Sequence, residues 1–152
     1  ADVISRDIRN YSKTIVINAG TKSGIKENMT VIASDGLVGY VISATDTTSK
    51  VQTIVDSSSN TSSILSSSRD SVVCKGLLEQ NNRLKAVYIP TDATVAQGDS
   101  VETSGLGGIY PKGIYVGKVS KVVNTTNLND RYAIIETGVN FNKLETVLVI
   151  TN

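Results

Sequence analysis

The chain has no histidine and no tryptophan, a single cysteine and only two prolines. Without histidine, Ser-His-Asp and Cys-His catalysis, His-ligated zinc and the usual general base near neutral pH are all excluded. Cys74 has no internal disulfide partner. Its neighbours Val72 and Val73 place it on a strand, where a buried small hydrophobe is the plainer reading than a reactive thiol. No apolar run approaches the roughly 20 residues that cross a bilayer as a helix. Charge of one sign is also lacking: 15 basic and 14 acidic residues, net +1, are scattered along the chain. No basic stripe marks nucleic acid or anionic lipid as a default partner. Alanine and leucine are scarce, and no segment shows a convincing amphipathic helix.

What is present is β-forming. Isoleucine, valine and threonine make up about a third of the residues, the choice of a pleated, half-buried surface. Twelve strands follow from period-two alternation and turn residues. The first half carries Val3–Asp7, Thr14–Asn18, Met29–Ala33, Leu37–Ala44, Val51–Val55 and Ser62–Ser66. The second carries Val72–Leu78, Leu84–Ile89, Asp99–Thr103, Ile114–Val123, Tyr132–Thr137 and Thr146–Thr151. An internal duplication relates the halves. Ile17–Val31 aligns without gaps to Val87–Val101, Gly36-Leu37 falls on Gly105-Leu106, and Val38-Gly39-Tyr40-Val41 falls on Val116-Gly117-Lys118-Val119. Lys50–Asp56 and Arg131–Thr137 follow as further strand candidates of similar type.

The expectation is an all-β protein of two small six-stranded barrels, residues 1–68 and 69–152, joined near Ser67-Ser68-Arg69-Asp70. The serine-rich stretch 57–68 reads either as a linker or as a strand around Ile64-Leu65. A strand exchanged between the barrels is compatible with this spacing and would make the boundary discontinuous. Paired six-stranded barrels also occur in chymotrypsin-like proteases, which the missing histidine excludes here.

Several motifs carry little chemistry. Ser23-Gly24-Ile25-Lys26 has the Ser-x-x-Lys spacing of penicillin-binding enzymes, but Gly24 makes the segment a turn between strands, and Ser-Asp-Asn and Lys-Thr-Gly are absent. The glycines at 105–108 do not form a phosphate cradle, because Pro111 and a strand follow where a helix would be needed. Asp99 with Glu102, or Glu136 with Glu145, could be a glycosidase pair, yet scattered acids on turns are ordinarily solvated. No cofactor and no metal site is expected.

The most distinctive segment runs from Val101 to Val119. A strand leads into Gly105, Gly107 and Gly108, then Tyr110-Pro111-Lys112-Gly113 with proline and glycine where a type I turn wants them, and then a second strand interrupted by Gly117. Gly36, Gly39, Gly105, Gly107, Gly108, Gly113 and Gly117 are read as structural glycines. Gly39 and Gly117 should be equivalent, one per half. The loop Gly105–Gly113 is the chief insertion of the second repeat, and two readings stay open. It closes one end of the barrel with Leu106 and Ile109 tucked inward, or it offers Gly105, Leu106, Ile109, Tyr110 and Pro111 to a partner or a second copy.

The run Thr-Ser-Gly-Leu-Gly-Gly-Ile-Tyr-Pro-Lys-Gly with Val-Gly-Lys-Val resembles the signature of the MreC family, bacterial rod-shape-determining proteins. Thr14–Gly20 with Ser23-Gly24-Ile25, Gly36–Val41, the opening Val3–Asp7 and the closing Val147–Ile150 extend the resemblance over nearly the whole chain. One departure is Asp7-Ile8 followed by Tyr11, where family members often have Asp-Pro and then tryptophan. The resemblance implies a non-enzymatic extracytoplasmic scaffold that organises wall-elongation proteins: MreD, a class B penicillin-binding protein and, across the membrane, MreB. It also implies self-association, and membrane attachment only through an N-terminal helix and coiled coil upstream of this segment. The alternative is a carbohydrate- or peptidoglycan-binding β module. Six tyrosines, one phenylalanine and no tryptophan make a poor set of sugar-stacking rings.

Overall fold

The computed structural model describes residues 1–7, 13–77 and 80–151. Within them lie twelve strands: β1 Val3–Asp7, β2 Thr14–Ile17, β3 Thr30–Ala33, β4 Gly36–Ala44, β5 Ser49–Thr53, β6 Asn60–Leu65, β7 Ser71–Gly76, β8 Arg83–Val87, β9 Ser100–Thr103, β10 Tyr115–Val123, β11 Tyr132–Thr137 and β12 Leu148–Val149. All twelve expected strands are present, although Leu78, the expected end of the seventh, lies outside the described residues, as do Ile8 and Tyr11. The helical content described is two single 3-10 turns, Thr21–Ser23 and Leu128–Asp130. Strands form because β-branched residues alternate with polar ones. Along β9, Val101 and Thr103 face inward while Ser100 and Glu102 face outward.

The strands form a six-stranded sheet of order β1-β2-β5-β4-β3-β12 and a closed barrel of order β10-β11-β8-β7-β6-β9. The duplication is visible in these orders. The run β2-β5-β4-β3 of the sheet repeats as β8-β11-β10-β9 in the barrel. The irregularities repeat as well. Val38 bulges from β4 between the pairs Val31↔Gly39 and Ile32↔Leu37, and Val116 bulges from β10 between Val101↔Gly117 and Glu102↔Tyr115. A second bulge falls at Ile42 in β4 and at Ser120 in β10. Asn28 and Gly98, which the ungapped alignment pairs, both have positive φ (70° and 92°). Their amides donate to Val41 O and Val119 O at 2.8 and 2.7 Å.

Two expectations are corrected. The first half is not a closed barrel. Its edge strands β1 and β12 meet only through the Asp2↔Thr146 bridge and adjoining backbone bonds, so the sheet stays open while the second half closes. The strand assigned to the first half at Ser62–Ser66 belongs to the barrel: β6 pairs with both β7 and β9. Ser67-Ser68-Arg69-Asp70 is a hairpin turn rather than a link between domains. Arg69 N donates to Leu65 O and Leu65 N to Asp70 O, and a hairpin joins sequence neighbours in one sheet. In exchange, β12 from the end of the chain returns to β3 of the first sheet, pairing Val149 with Val31. The boundary at 68/69 therefore does not coincide with the division between the sheets.

A single buried cluster runs through both sheets. It includes Ile15, Ile17, Val31, Leu37 and Val51 of the open sheet, Leu65, Leu84, Val101, Val116 and Ile135 of the barrel, and Phe141 and Val147 of the returning segment.

Candidate functional site

The β3–β4 connection is the two-residue turn Ser34-Asp35, whereas its counterpart between β9 and β10 spans residues 104–114. Thr103 fastens the base of this longer loop. Its Oγ1 donates to Pro111 O at 2.6 Å and accepts from Ile114 N at 2.9 Å, while its carbonyl accepts from Gly113 N at 2.9 Å. Ser104 N donates to Ser62 O on β6, and Ser104 Oγ accepts from Leu106 N. Gly105, Gly107, Gly108 and Gly113 all have positive φ, the left-handed region that side chains avoid.

The loop is divided in its duties. Tyr110 is buried, with its ring 6.2 Å from that of Tyr40 on β4 in an edge-to-face arrangement. Burial, and secondarily the neighbouring Tyr40, hold the Tyr110 hydroxyl well above its ordinary ionisation range. Tyr40 in turn donates to Gln52 Oε1 at 2.6 Å, and Thr30 Oγ1 of β3 donates to Ile109 O at 3.4 Å. This half of the loop docks on the open sheet. Leu106 points the other way and is 66% exposed; the expectation that it tucks inward is not met. It lines a shallow groove of about 170 Å³ with Val72, Val73 and Tyr88. Pro111 is exposed, and Ile109 is half-buried. Of the residues read as contact candidates, Leu106 and Pro111 are accessible, with the glycine at 105 beside them, while Tyr110 is not.

Gly39 and Gly117 occupy the same place in β4 and β10, next to the repeated bulge. A Cβ on Gly39 would lie 1.9 Å from Gln52 O, and on Gly117 2.1 Å from Glu136 O. No side chain fits at either. Gly36, at the start of β4, has a φ of +143° and runs against the Tyr115 carbonyl.

The remaining candidates do not assemble into a catalytic group. Ser23 ends a 3-10 turn closed by left-handed Gly24, and both Ser23 and Lys26 are exposed, as a turn reading requires. Cys74 is fully buried; burial pushes its thiol up to about 11, against the opposing pull of a hydrogen bond with Ser63. Glu102 is paired with Arg69 at 2.7 Å, and Asp99 accepts from Ala96 N. Among the described residues no three histidine, cysteine or carboxylate side chains are grouped to hold a metal.

One buried polar group had no sequence signal. Lys13, 1% exposed, sends its ammonium to Leu77 O at 3.0 Å and Gln80 O at 2.6 Å, tying the start of β2 to the β7–β8 connection. Its amide donates to Asp56 Oδ2 at 2.9 Å. Burial lowers the Lys13 pKa, and the Asp56 charge partly offsets this.

Residues 3–151 match the family model described as rod shape-determining protein MreC, barrel core. The cell shape-determining protein MreC of Listeria monocytogenes is 29% identical over 153 residues, covering 99% of this chain and 52% of that protein. The Bacillus subtilis protein of the same name is 29% identical over 160 residues, covering 99% and 55%. The chain thus spans about half the length of these relatives. In three dimensions it is similar to MreC from Pseudomonas aeruginosa, with a TM-score of 0.93 at 22% identity over 99% of this chain and 96% of that one. A chain of the complex between penicillin-binding protein PBP2 and MreC from Helicobacter pylori gives a TM-score of 0.68 at 18% identity, covering 88% and 82%. This chain belongs to the MreC family of rod shape-determining proteins and carries the family's barrel core.

Proposed function

We propose that the chain is the extracytoplasmic part of a non-enzymatic scaffold that organises cell-wall elongation and so maintains cell shape. Its partners in this reading are a class B penicillin-binding protein, MreD and, indirectly, MreB, with self-association adding further copies and an upstream membrane helix holding it at the cell surface. The observation that carries the proposal is the match of residues 3–151 to the MreC barrel core. It is supported by the Helicobacter pylori relative, which was solved in complex with a penicillin-binding protein. The chain contains no histidine, so the usual imidazole general base is lacking, which fits a protein that works by contact.

The contact surface we propose lies on the outward side of the β9–β10 loop. Leu106 and Pro111 are both exposed there, and Leu106 lines a groove with Val72, Val73 and Tyr88. Exposed apolar residues around a groove are the usual mark of an interface. Leu106→Asp tests this directly. Thermal stability should stay within a few degrees of wild type, because the side chain is already solvated. Binding to the purified extracytoplasmic domain of the cognate class B penicillin-binding protein should fall about tenfold or more, as expected when an interface anchor is replaced by a charge. Unchanged binding would remove Leu106 from the interface.

A further inference from the structure

Three cations line one cavity of about 340 Å³ on the barrel: Lys75 of β7, Lys85 of β8 and Arg131 just before β11. Lys75 and Lys85 are direct cross-strand partners, and like charges set opposite each other on a sheet destabilise it. The ion pair found among the described residues, Arg69–Glu102, involves neither of them. Each lysine instead stands over a ring. Lys75 Nζ is 5.3 Å from the centroid of Tyr88, and Lys85 Nζ is 4.3 Å from that of Tyr132. Such contacts hold an ammonium in place without neutralising it. Arg131 donates from Nη2 to Pro90 O and Ala93 O, both at 2.7 Å and both neutral acceptors. Its Nε is buried with no acceptor among the described residues. Against these three cations, the cavity wall contributes one carboxylate, Asp130.

The fold does not require this arrangement. In the duplicated open sheet, Val16 occupies the register position of Lys85, and Thr48, just before β5, corresponds to Tyr132. Tyr88 is also held at a φ of 57°, and the residue is 70% exposed. A bulky residue rarely adopts that conformation, and here the strain is not offset by burying the ring. Repulsion and strain retained at one cavity point to a missing counterpart.

We infer that this cavity is an oxyanion-binding site that takes a phosphate or carboxylate group on a small ligand. Lys75 and Lys85 are the paired donors, and the rings of Tyr88 and Tyr132 are its flanks. An anion between the two ammonium groups converts their mutual repulsion into two attractions. The volume is at the lower end of the range for small-ligand pockets, roughly 300–1,000 Å³, which suits an ion or a single acidic sugar. The site shares Tyr88 with the groove beside Leu106, but its three cations lie outside that groove.

The test is an amide NMR titration of the 16.1 kDa chain at constant ionic strength with inorganic phosphate, glucose 6-phosphate, glucuronate and neutral glucose. Saturable shifts confined to β7, β8 and residues 129–132 are expected with the anions and not with glucose. Tighter binding of the sugar acids than of phosphate identifies a sugar-borne anion as the ligand class, and the reverse order identifies the free ion. Lys75→Gln and Lys85→Gln should each weaken binding about tenfold, the worth of one charge-assisted hydrogen bond. Both variants should melt no lower than wild type in anion-free buffer, since each removes a like-charge pair. Shifts that never saturate, or that persist unchanged in both variants, would overturn the proposal.

Discussion

The rings of Tyr110 and Tyr40 meet edge to face, with centroids 6.2 Å apart and planes at 72°. Tyr110 comes from the long loop of the barrel and Tyr40 from β4 of the open sheet, so this pair is a joint between the two halves of the molecule. Its role is packing, and Tyr110→Ser should cost about 3 kcal/mol, the range for emptying a buried aromatic site. In a chain of this size that lowers the melting temperature by about 6–12 °C. Tyr110→Phe, which keeps the ring, should lose far less. Calorimetry of the three proteins decides the matter. A Tyr110→Ser variant as stable as wild type would return the residue to the contact surface.

Gly39 and Gly117 make a paired prediction. Each lies beside a repeated bulge where an added Cβ would collide with a backbone carbonyl, and a backbone atom has no rotamer by which to move aside. Gly39→Ala and Gly117→Ala should each destabilise by about 3 kcal/mol, the upper part of the overpacking range. Gly108→Ala serves as the contrast, because a Cβ there meets nothing within 4 Å and only its left-handed backbone resists, at about 1 kcal/mol. Denaturant titrations of the three variants should reproduce that ranking.

The duplication also shows what was legible in the sequence. β-branched alternation located all twelve strands, and Val-Gly-x-Val located the equivalent bulged strands, because both signals are local. Register was less accessible. The ungapped alignment set Ile17 against Val87, but cross-strand pairing makes Ala86 the equivalent of Ile17, and both are buried. One residue of slip exchanges inside for outside in a strand. Sheet membership was harder still. Nothing in Asn60–Leu65 records that its partners are β7 and β9, or in Leu148–Val149 that its partner is β3, since pairing is decided by distant residues. Charge counting found scattered lysines and no stripe, yet pairing of β7 with β8 sets Lys75 and Lys85 face to face.

Alkaline titration should expose Cys74. Its thiol is raised from 9.0 to about 11 by burial. Below pH 9 both folded and unfolded states keep the proton, so stability is flat. Between pH 9 and 11 the unfolded thiol ionises while the folded one does not, so the unfolded state binds fewer protons and stability falls. The loss is about 2–3 kcal/mol across that window, at 1.4 kcal/mol per pH unit. Lys13 works in the opposite sense, because its lowered folded pKa makes stability rise as pH approaches the ordinary lysine value. Measuring the difference between wild type and Cys74→Ala cancels the Lys13 contribution. That difference should be constant up to pH 9 and then shift by this amount. A difference that stays constant to pH 11 would contradict the burial of the thiol.

The function we propose for this barrel core is to hold a wall-synthesis protein. The most direct measurement is titration calorimetry of the purified chain against the extracytoplasmic domain of the class B penicillin-binding protein from the same organism, with isolated peptidoglycan titrated in parallel. The account predicts saturable binding to the penicillin-binding protein, weakened by Leu106→Asp, and no comparable binding to peptidoglycan. Binding to peptidoglycan alone, with both proteins shown to be folded, would contradict it and favour a wall-binding module.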